Sequence, residues 1–330
     1  MQNGVITFSR NAFFPLTNVC RNDCGYCIFK TAVHDSCVMA PAQVEKTLEV
    51  SAAMGCTEAL FTFGEKPEEE PGFSPLIQRL GYNTILDYCY AMCERAIDLG
   101  LLPHTNAGIL TYDELSRFKE VNASMGLMLE TTAEIPAHAR SPGKKPEVRI
   151  AMMEDAGKLQ IPFTTGLLIG IGEGESDRED SLKVIADLHR RFGHIQEVII
   201  QNFCPKEGTA MAAVTPPGTD EIARSIQMAR EILPDDIGVQ IPPNLADAAK
   251  LIPFGVSDLG GVSPLTIDYV NPEHAWPQIQ ELQDLVGENT LKERLCIYSQ
   301  YIEKGWFPKR LQPLITHLTQ EINTRTNVTG

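Results

Sequence analysis

Three cysteines, Cys20, Cys24 and Cys27, stand together in the string Cys-Arg-Asn-Asp-Cys-Gly-Tyr-Cys. Thiolates are the usual ligands of iron–sulfur clusters, and a 4Fe-4S cluster held by protein alone takes one on each of its four irons. Three arrive together here, and the next cysteine, Cys37, does not follow at a ferredoxin-like interval. One iron is therefore left open, the arrangement a catalytic metal needs to bind a substrate directly. A zinc site would want a second C-x2-C or a Cys/His pair, and none stands at the usual spacing. Cys20, Cys24 and Cys27 are thus the expected metal ligands and the expected centre of catalysis. Cys37, Cys56, Cys89, Cys93, Cys204 and Cys296 read as structural, because free cysteines usually serve as small buried apolar residues.

The elements that must position these thiols alternate strand and helix. Strands are expected near 12–18, 59–63, 101–106, 125–130, 163–169, 197–203, 238–241 and after Gly255. Helices are expected near 41–54, 84–99, 111 onward, 146–158, 220–233 and 246–251, with one opening at the capping-box string Ser176-Asp-Arg-Glu179. Such alternation predicts a parallel α/β barrel of six to eight repeats. The expected organisation is a TIM-type (β/α) barrel over residues 1–275 and a helical extension over 276–330. In that extension Leu291, Leu295, Tyr298 and Ile302 would share one helix face. At 330 residues the chain is long enough for one elaborated barrel.

Catalytic groups of such barrels lie at the C-terminal ends of the strands. The cysteine loop follows strand one, Gly64-Glu65 ends strand two, and Glu130 ends strand four. Gly170 and Glu173 follow strand five, and Gln201-Asn202 closes strand six. All fall on one rim. His104 is expected to end a strand and face the site, while His189, His194 and His317 read as surface residues. The glycines after strand five do not form G-x-G-x-x-G, so a dinucleotide fingerprint fails.

The spacing C-x3-C-x2-C, with Tyr26 before the third cysteine, resembles the cluster loop of radical S-adenosylmethionine (SAM) enzymes. That resemblance implies a 4Fe-4S cluster and SAM as cofactors. It also implies SAM contacts at Tyr26, Gly64, Glu65, Glu130, Gly170 and Glu173. Gly64-Glu65 would hold the methionine ammonium, and Glu130 would accept from a ribose or amine. The segment Gly166 to Glu173 is similar to the G-x-I-x-G-x-x-E pattern such enzymes place by adenine, with Leu168 replacing the isoleucine.

More of the chain resembles one family, the CofG-type subunit of 7,8-didemethyl-8-hydroxy-5-deazariboflavin synthase. The resemblance covers Phe8-Ser-Arg-Asn11, Pro103-His-Thr-Asn106, Ser124 to Glu130, Ser141-Pro-Gly-Lys144, Gln201-Asn-Phe203 and Ser257 to Glu273. It implies closure of a tyrosine-derived 4-hydroxybenzyl–ribitylaminouracil adduct into the deazaflavin ring. Ammonia, 5′-deoxyadenosine and methionine would be released. A CofH-type partner subunit would supply the adduct, and a low-potential donor the electron. On this reading Gln201, Asn202, Asp258, Thr266 and Asp268 would contact the uracil or ribityl groups.

Two other readings stay open: a radical SAM enzyme with another substrate, such as the CofH-type or futalosine-route menaquinone reaction, or a non-catalytic iron–sulfur electron carrier. A net charge of −15 argues against nucleic acid or anionic lipid as a partner. Nine cysteines without a recognisable export signal suggest a reduced, cytoplasmic protein.

Overall fold

Eight strands pair in parallel, each with the next, and the last returns to the first. In the computed structural model, which describes residues 4–328, these are β1 Val5–Phe14, β2 Glu58–Thr62, β3 Leu102–Asn106 and β4 Ser124–Gly126. They continue as β5 Phe163–Ile169, β6 Ile195–Asn202, β7 Gly238–Gln240 and β8 Asp258–Val262. The expected (β/α) barrel is present, with all eight repeats. Helices Pro41–Ala53 and Pro146–Lys158 each open with a proline, where the missing N–H costs no intrahelical bond. The helix expected to start at the Ser176 capping box begins earlier, at Glu175. There the Asp177 carboxylate accepts from the Gly174 N–H at 2.7 Å.

Every residue of β5 is buried, as expected of a parallel strand covered on both faces. Helices and strands share one apolar layer, in which Phe14 and Phe61 stack with ring centroids 5.2 Å apart.

β1 starts earlier than the expected 12–18. Its inward residues Ser9 and Asn11 are polar, which breaks the apolar run by which a strand is recognised. The ladder from β4 stops at Gly126, although the segment after it keeps bonding to β5 through the N–H groups of Leu127 and Glu130. Glu130 itself adopts φ 68, and an isolated bridge ties it to Leu167.

The segment after Trp276 departs from its expected single helix face. It holds helices Ile279–Val286, Ser299–Glu303 and Gln312–Val328, but also a ninth strand, β9, at Thr290–Glu293. Leu291 lies in that strand and Leu295 and Tyr298 lie in the coil after it, so only Ile302 of the four is helical. Their spacing imitates a helix because a four-residue strand is too short to show its own period. β9 pairs with Val5–Phe8, the first half of β1, while β2 pairs with the second half.

Beyond β9 the chain crosses the N-terminal mouth of the barrel. Leu295, Ile297, Tyr301, Leu311 and Ile315 pack there against Leu102 and Ala123. Arg294 enters from this floor. Its guanidinium binds both oxygens of Asp258 at 2.6 and 2.7 Å and reaches Glu197 at 2.7 Å. Burial acts to lower the Arg294 pKa, but Asp258 and Glu197 together hold it well above the usual value. Removing one member of such a buried group leaves uncompensated charge, at a cost of about 3–5 kcal/mol. Arg294→Ala is therefore expected to lower the unfolding midpoint in urea markedly, and an unchanged midpoint would contradict the floor's assignment.

Candidate active site

The cysteine loop leaves the C-terminal end of β1 and is clamped from two sides. On one side the tip of β2 docks against it. The Gly64 N–H donates to Thr17 O at 2.8 Å, the Arg21 N–H to Glu65 O at 3.0 Å, and the Glu65 N–H to Cys20 Sγ at 3.3 Å. A Cβ at Gly64 would overlap the Val19 carbonyl and crowd the Cys20 side chain. Only glycine allows this approach. On the other side stands the segment after β4. Gly25 N–H donates to Ala137 O at 2.8 Å, Gly143 N–H to Asn22 Oδ1 at 2.9 Å, and Ser141 Oγ–H to Cys24 Sγ at 3.3 Å.

All three thiols line one cavity of about 400 Å³ at the C-terminal end of the barrel. Burial pushes each above its ordinary pKa. Among the described residues no three His, Cys, Asp or Glu side chains gather closely enough for a single ion. A cubane instead presents its irons at separate corners, so thiols spread around one wall fit a cluster better than a lone metal. The N–H and O–H donors on Cys20 and Cys24 are of the kind that orient thiolates and tune such clusters.

Glu65 lines the cavity and also braces the loop. One carboxylate oxygen accepts from Arg21 Nε at 2.7 Å and the other from the Ile109 N–H at 3.1 Å. It ties the cysteine loop to the segment after β3. Glu130 faces the cavity among Tyr26, Lys144 and His138, all in contact with its carboxylate. Burial alone would raise its pKa, but Lys144, with help from His138 and Arg149, holds it well below the usual range. An ionised carboxylate is thus kept next to the cysteines. Lys144 and Ser141 belong to the quoted string Ser-Pro-Gly-Lys, whose chemistry was not legible without the fold.

Gly170 and Glu173 do not line the cavity. Glu173 accepts from the N–H groups of Gly170 and Ile171, each at 2.8 Å, and pairs with Arg178, so it shapes the turn after β5. Leu168 is the residue of that motif which reaches the cavity wall.

Of the five expected substrate contacts, Gln201, Asn202 and Asp268 line the cavity. The Gln201 amide has no side-chain partner among the described residues. Asn202 donates to Leu245 O at 3.0 Å while its Oδ1 is buried without a partner. Asp268 takes four hydrogen bonds from Asn244, Val270 and Asn271, and so holds that loop in shape. The other two expectations are corrected. Asp258 opens β8 at the barrel floor, fully buried and outside the cavity wall, with its oxygens bound by Arg294, Thr7 and Gly260. The Thr266 hydroxyl bonds Ser263 and accepts from the Phe13 N–H at 2.9 Å, outside the cavity wall.

Other residues stand where sequence reasoning did not put them. Cys204 lines the cavity, although it was expected to be structural. His104 faces the cavity as expected, from the middle of β3 rather than its end. Burial pushes its pKa down to about 3, so the ring is neutral. His189 and His194 are buried rather than surface residues: His189 accepts from the Ile195 N–H at 3.1 Å, and His194 packs against Phe163 and Phe192.

The family model of the Radical SAM superfamily matches residues 14–185. The fold agrees with that of the FeFe-hydrogenase maturase HydG from Carboxydothermus hydrogenoformans, with a TM-score of 0.64 at 17% identity over 96% of this chain and 82% of that one. Two relatives, from Methanoculleus marisnigri and Methanoregula boonei, are each named 7,8-didemethyl-8-hydroxy-5-deazariboflavin synthase. They are 67% and 62% identical, each over 98% of this chain and over 97% and 98% of their own lengths. The chain therefore belongs to the radical SAM superfamily and, within it, to the 7,8-didemethyl-8-hydroxy-5-deazariboflavin synthase family. It is a radical SAM enzyme, and its cofactors are a 4Fe-4S cluster and SAM.

Two outcomes follow from this geometry. Gly64→Ala is expected to leave the barrel folded but to cut iron incorporation sharply, read as iron and sulfide per chain after anaerobic reconstitution; full loading would show that the β2 tip does not clamp the loop. Glu58, at the barrel wall, accepts from Ser9 Oγ–H at 2.8 Å, and burial pushes its carboxyl up to about 7. Between its ordinary value of 4.5 and about 7 the folded state keeps the proton that the unfolded chain has lost, so stability falls as pH rises through that window. Glu58→Gln is expected to flatten this slope, read by urea unfolding at pH 5 and pH 8. An unchanged slope would contradict the burial-driven shift.

Proposed function

We propose that this enzyme closes the 5-amino-5-(4-hydroxybenzyl)-6-(D-ribitylimino)-dihydrouracil adduct into 7,8-didemethyl-8-hydroxy-5-deazariboflavin, with release of ammonia. The observation that carries the proposal is that the cysteine loop and the unpartnered amide of Gln201 open on one cavity, in a chain so close to named synthases. When bound, the cluster and SAM supply a carbon radical that can take a hydrogen atom from the substrate. The chain does the rest by placement.

Cys20, Cys24 and Cys27 hold the cluster at the rim. Glu130, kept ionised by Lys144, would accept hydrogen bonds from the SAM ribose or amine, and Tyr26 would set its orientation. Gln201 and the free Oδ1 of Asn202 would orient the uracil. Phe13, Leu60, Ile199 and Phe203 give the same cavity apolar walls that exclude water from the reacting carbons. A low-potential donor would supply the electron, and a CofH-type partner the adduct. Among the described residues no helix is long and apolar enough to cross a membrane, and we place the reaction in the cytoplasm.

The test is one anaerobic assay with SAM, reductant and adduct, following 5′-deoxyadenosine and deazaflavin by mass. Wild type is expected to form both, and Cys24→Ala neither. Gln201→Ala is expected to lower deazaflavin formation by about 10- to 100-fold, the scale of one buried hydrogen bond left unmade, while still forming 5′-deoxyadenosine. 5′-Deoxyadenosine without deazaflavin from wild type would keep the radical chemistry and remove this substrate.

A further inference from the structure

The cavity does not end at the rim. It continues down the barrel axis between inward-facing residues of the strands, among them Asn11, Glu58 and Gln240, to the Arg294 floor. Barrels of this type usually fill that space with branched apolar side chains. Here it is lined with hydrogen-bonding groups, and the groups are not saturated. Asn11 is 3% exposed, yet its Oδ1 has no partner. The Gln240 amide is buried and without a side-chain partner among the described residues. Glu58 has one oxygen on Ser9 and the other toward the cavity.

A buried acceptor left unpaired costs free energy of the order of 1–3 kcal/mol, so its retention points to a ligand that completes it. Space has been left for one. The shaft is part of the same cavity, and Gly261 of β8 lies against Asn11, where a Cβ would overlap Nδ2, so the glycine is what lets the Asn11 amide take its place in the lining. The chemistry of the ligand follows from the lining. Ser9 and Asn11 stand two residues apart along β1, Glu58 pairs beside Asn11 on β2, and Gln240 ends β7, so these groups are spread along the shaft as well as around it. A flat heterocycle presents its donors and acceptors on coplanar edges, whereas a chain of hydroxyls presents a donor and an acceptor at each carbon. The amides of Asn11 and Gln240 and the hydroxyl of Ser9 offer both kinds of group along the shaft.

We propose that this shaft is a polyol subsite: it receives the ribityl chain of the substrate, which enters ahead of the ring and is bound by Asn11, Gln240 and Glu58. The inference rests on the substrate class given above. It puts the ribityl group below the rim and keeps the uracil and hydroxybenzyl carbons at the level of the cysteine loop, where the hydrogen is taken.

The test is equilibrium binding to the anaerobically reconstituted protein, with 5-amino-6-(D-ribitylamino)uracil and its 6-methylamino counterpart as the paired probes. Wild type is expected to bind the ribityl compound at least about tenfold more tightly, the yield of one or more buried hydrogen bonds. Asn11→Ala removes the acceptor, and Gly261→Ala displaces the Asn11 amide from its place in the lining. Both are expected to weaken the ribityl compound and leave the methyl compound unchanged, so the gap closes. Equal affinity for the two probes in wild type, or a gap that persists in both variants, overturns the subsite. Turnover of the full adduct is measured in parallel and judges the substrate reading on its own. Deazaflavin formation without an affinity gap removes only the subsite, and a gap without deazaflavin removes only the reaction.

Discussion

A guanidinium at the floor of the barrel allows the interior to stay polar and hollow. Carboxylates at Asp258 and Glu197 point into space that apolar side chains fill in other barrels, and neither is tolerable there without a cation. Arg294 supplies it from a segment outside the eight repeats, and the pair of bonds to Asp258 fixes its orientation as well as its charge. β9 exists to deliver that side chain: it ends at Glu293, and the Arg294 N–H then bonds Phe8 O at 2.7 Å. With Arg294 at the floor, the cysteines stand at the opposite, C-terminal end of the chamber.

At the opposite end the constraint is one of approach rather than charge. The thiols have no regular element to hold them, so their loop borrows rigidity from its neighbours. Gly64 lets the β2 tip touch it, Glu65 bonds it through backbone and side chain, and Ser141 and Asn22 tie it to the segment after β4. That same segment carries Lys144, which keeps Glu130 ionised beside the cysteines. The cysteine loop and the cavity-facing carboxylate are therefore one connected unit.

The barrel and its rim were legible because their signals are local. Cysteine spacing, strand–helix alternation and the rule of C-terminal strand ends needed no tertiary knowledge. What stayed hidden was what pairs with what. Asp258 looks like a ligand-facing acid until Arg294, far along the chain, is found on both its oxygens. Glu65 and Glu173 sit at the expected rim, but their partners, Arg21 and Arg178, turn them into braces. β1 was shortened for the same reason that the shaft exists: Ser9 and Asn11 face inward, and polar inward residues erase the period by which a buried strand is found. β9 was too short to carry any period at all.

The central claim is that three rim cysteines hold a cluster whose remaining iron is open to SAM. Mössbauer spectroscopy of protein reconstituted with 57Fe, recorded with and without SAM, tests it most directly. One iron in four should shift toward higher coordination when SAM is added, the other three keeping their thiolate-bound parameters. A spectrum with all four irons equivalent and indifferent to SAM would mean a fully ligated cluster, and would contradict the account.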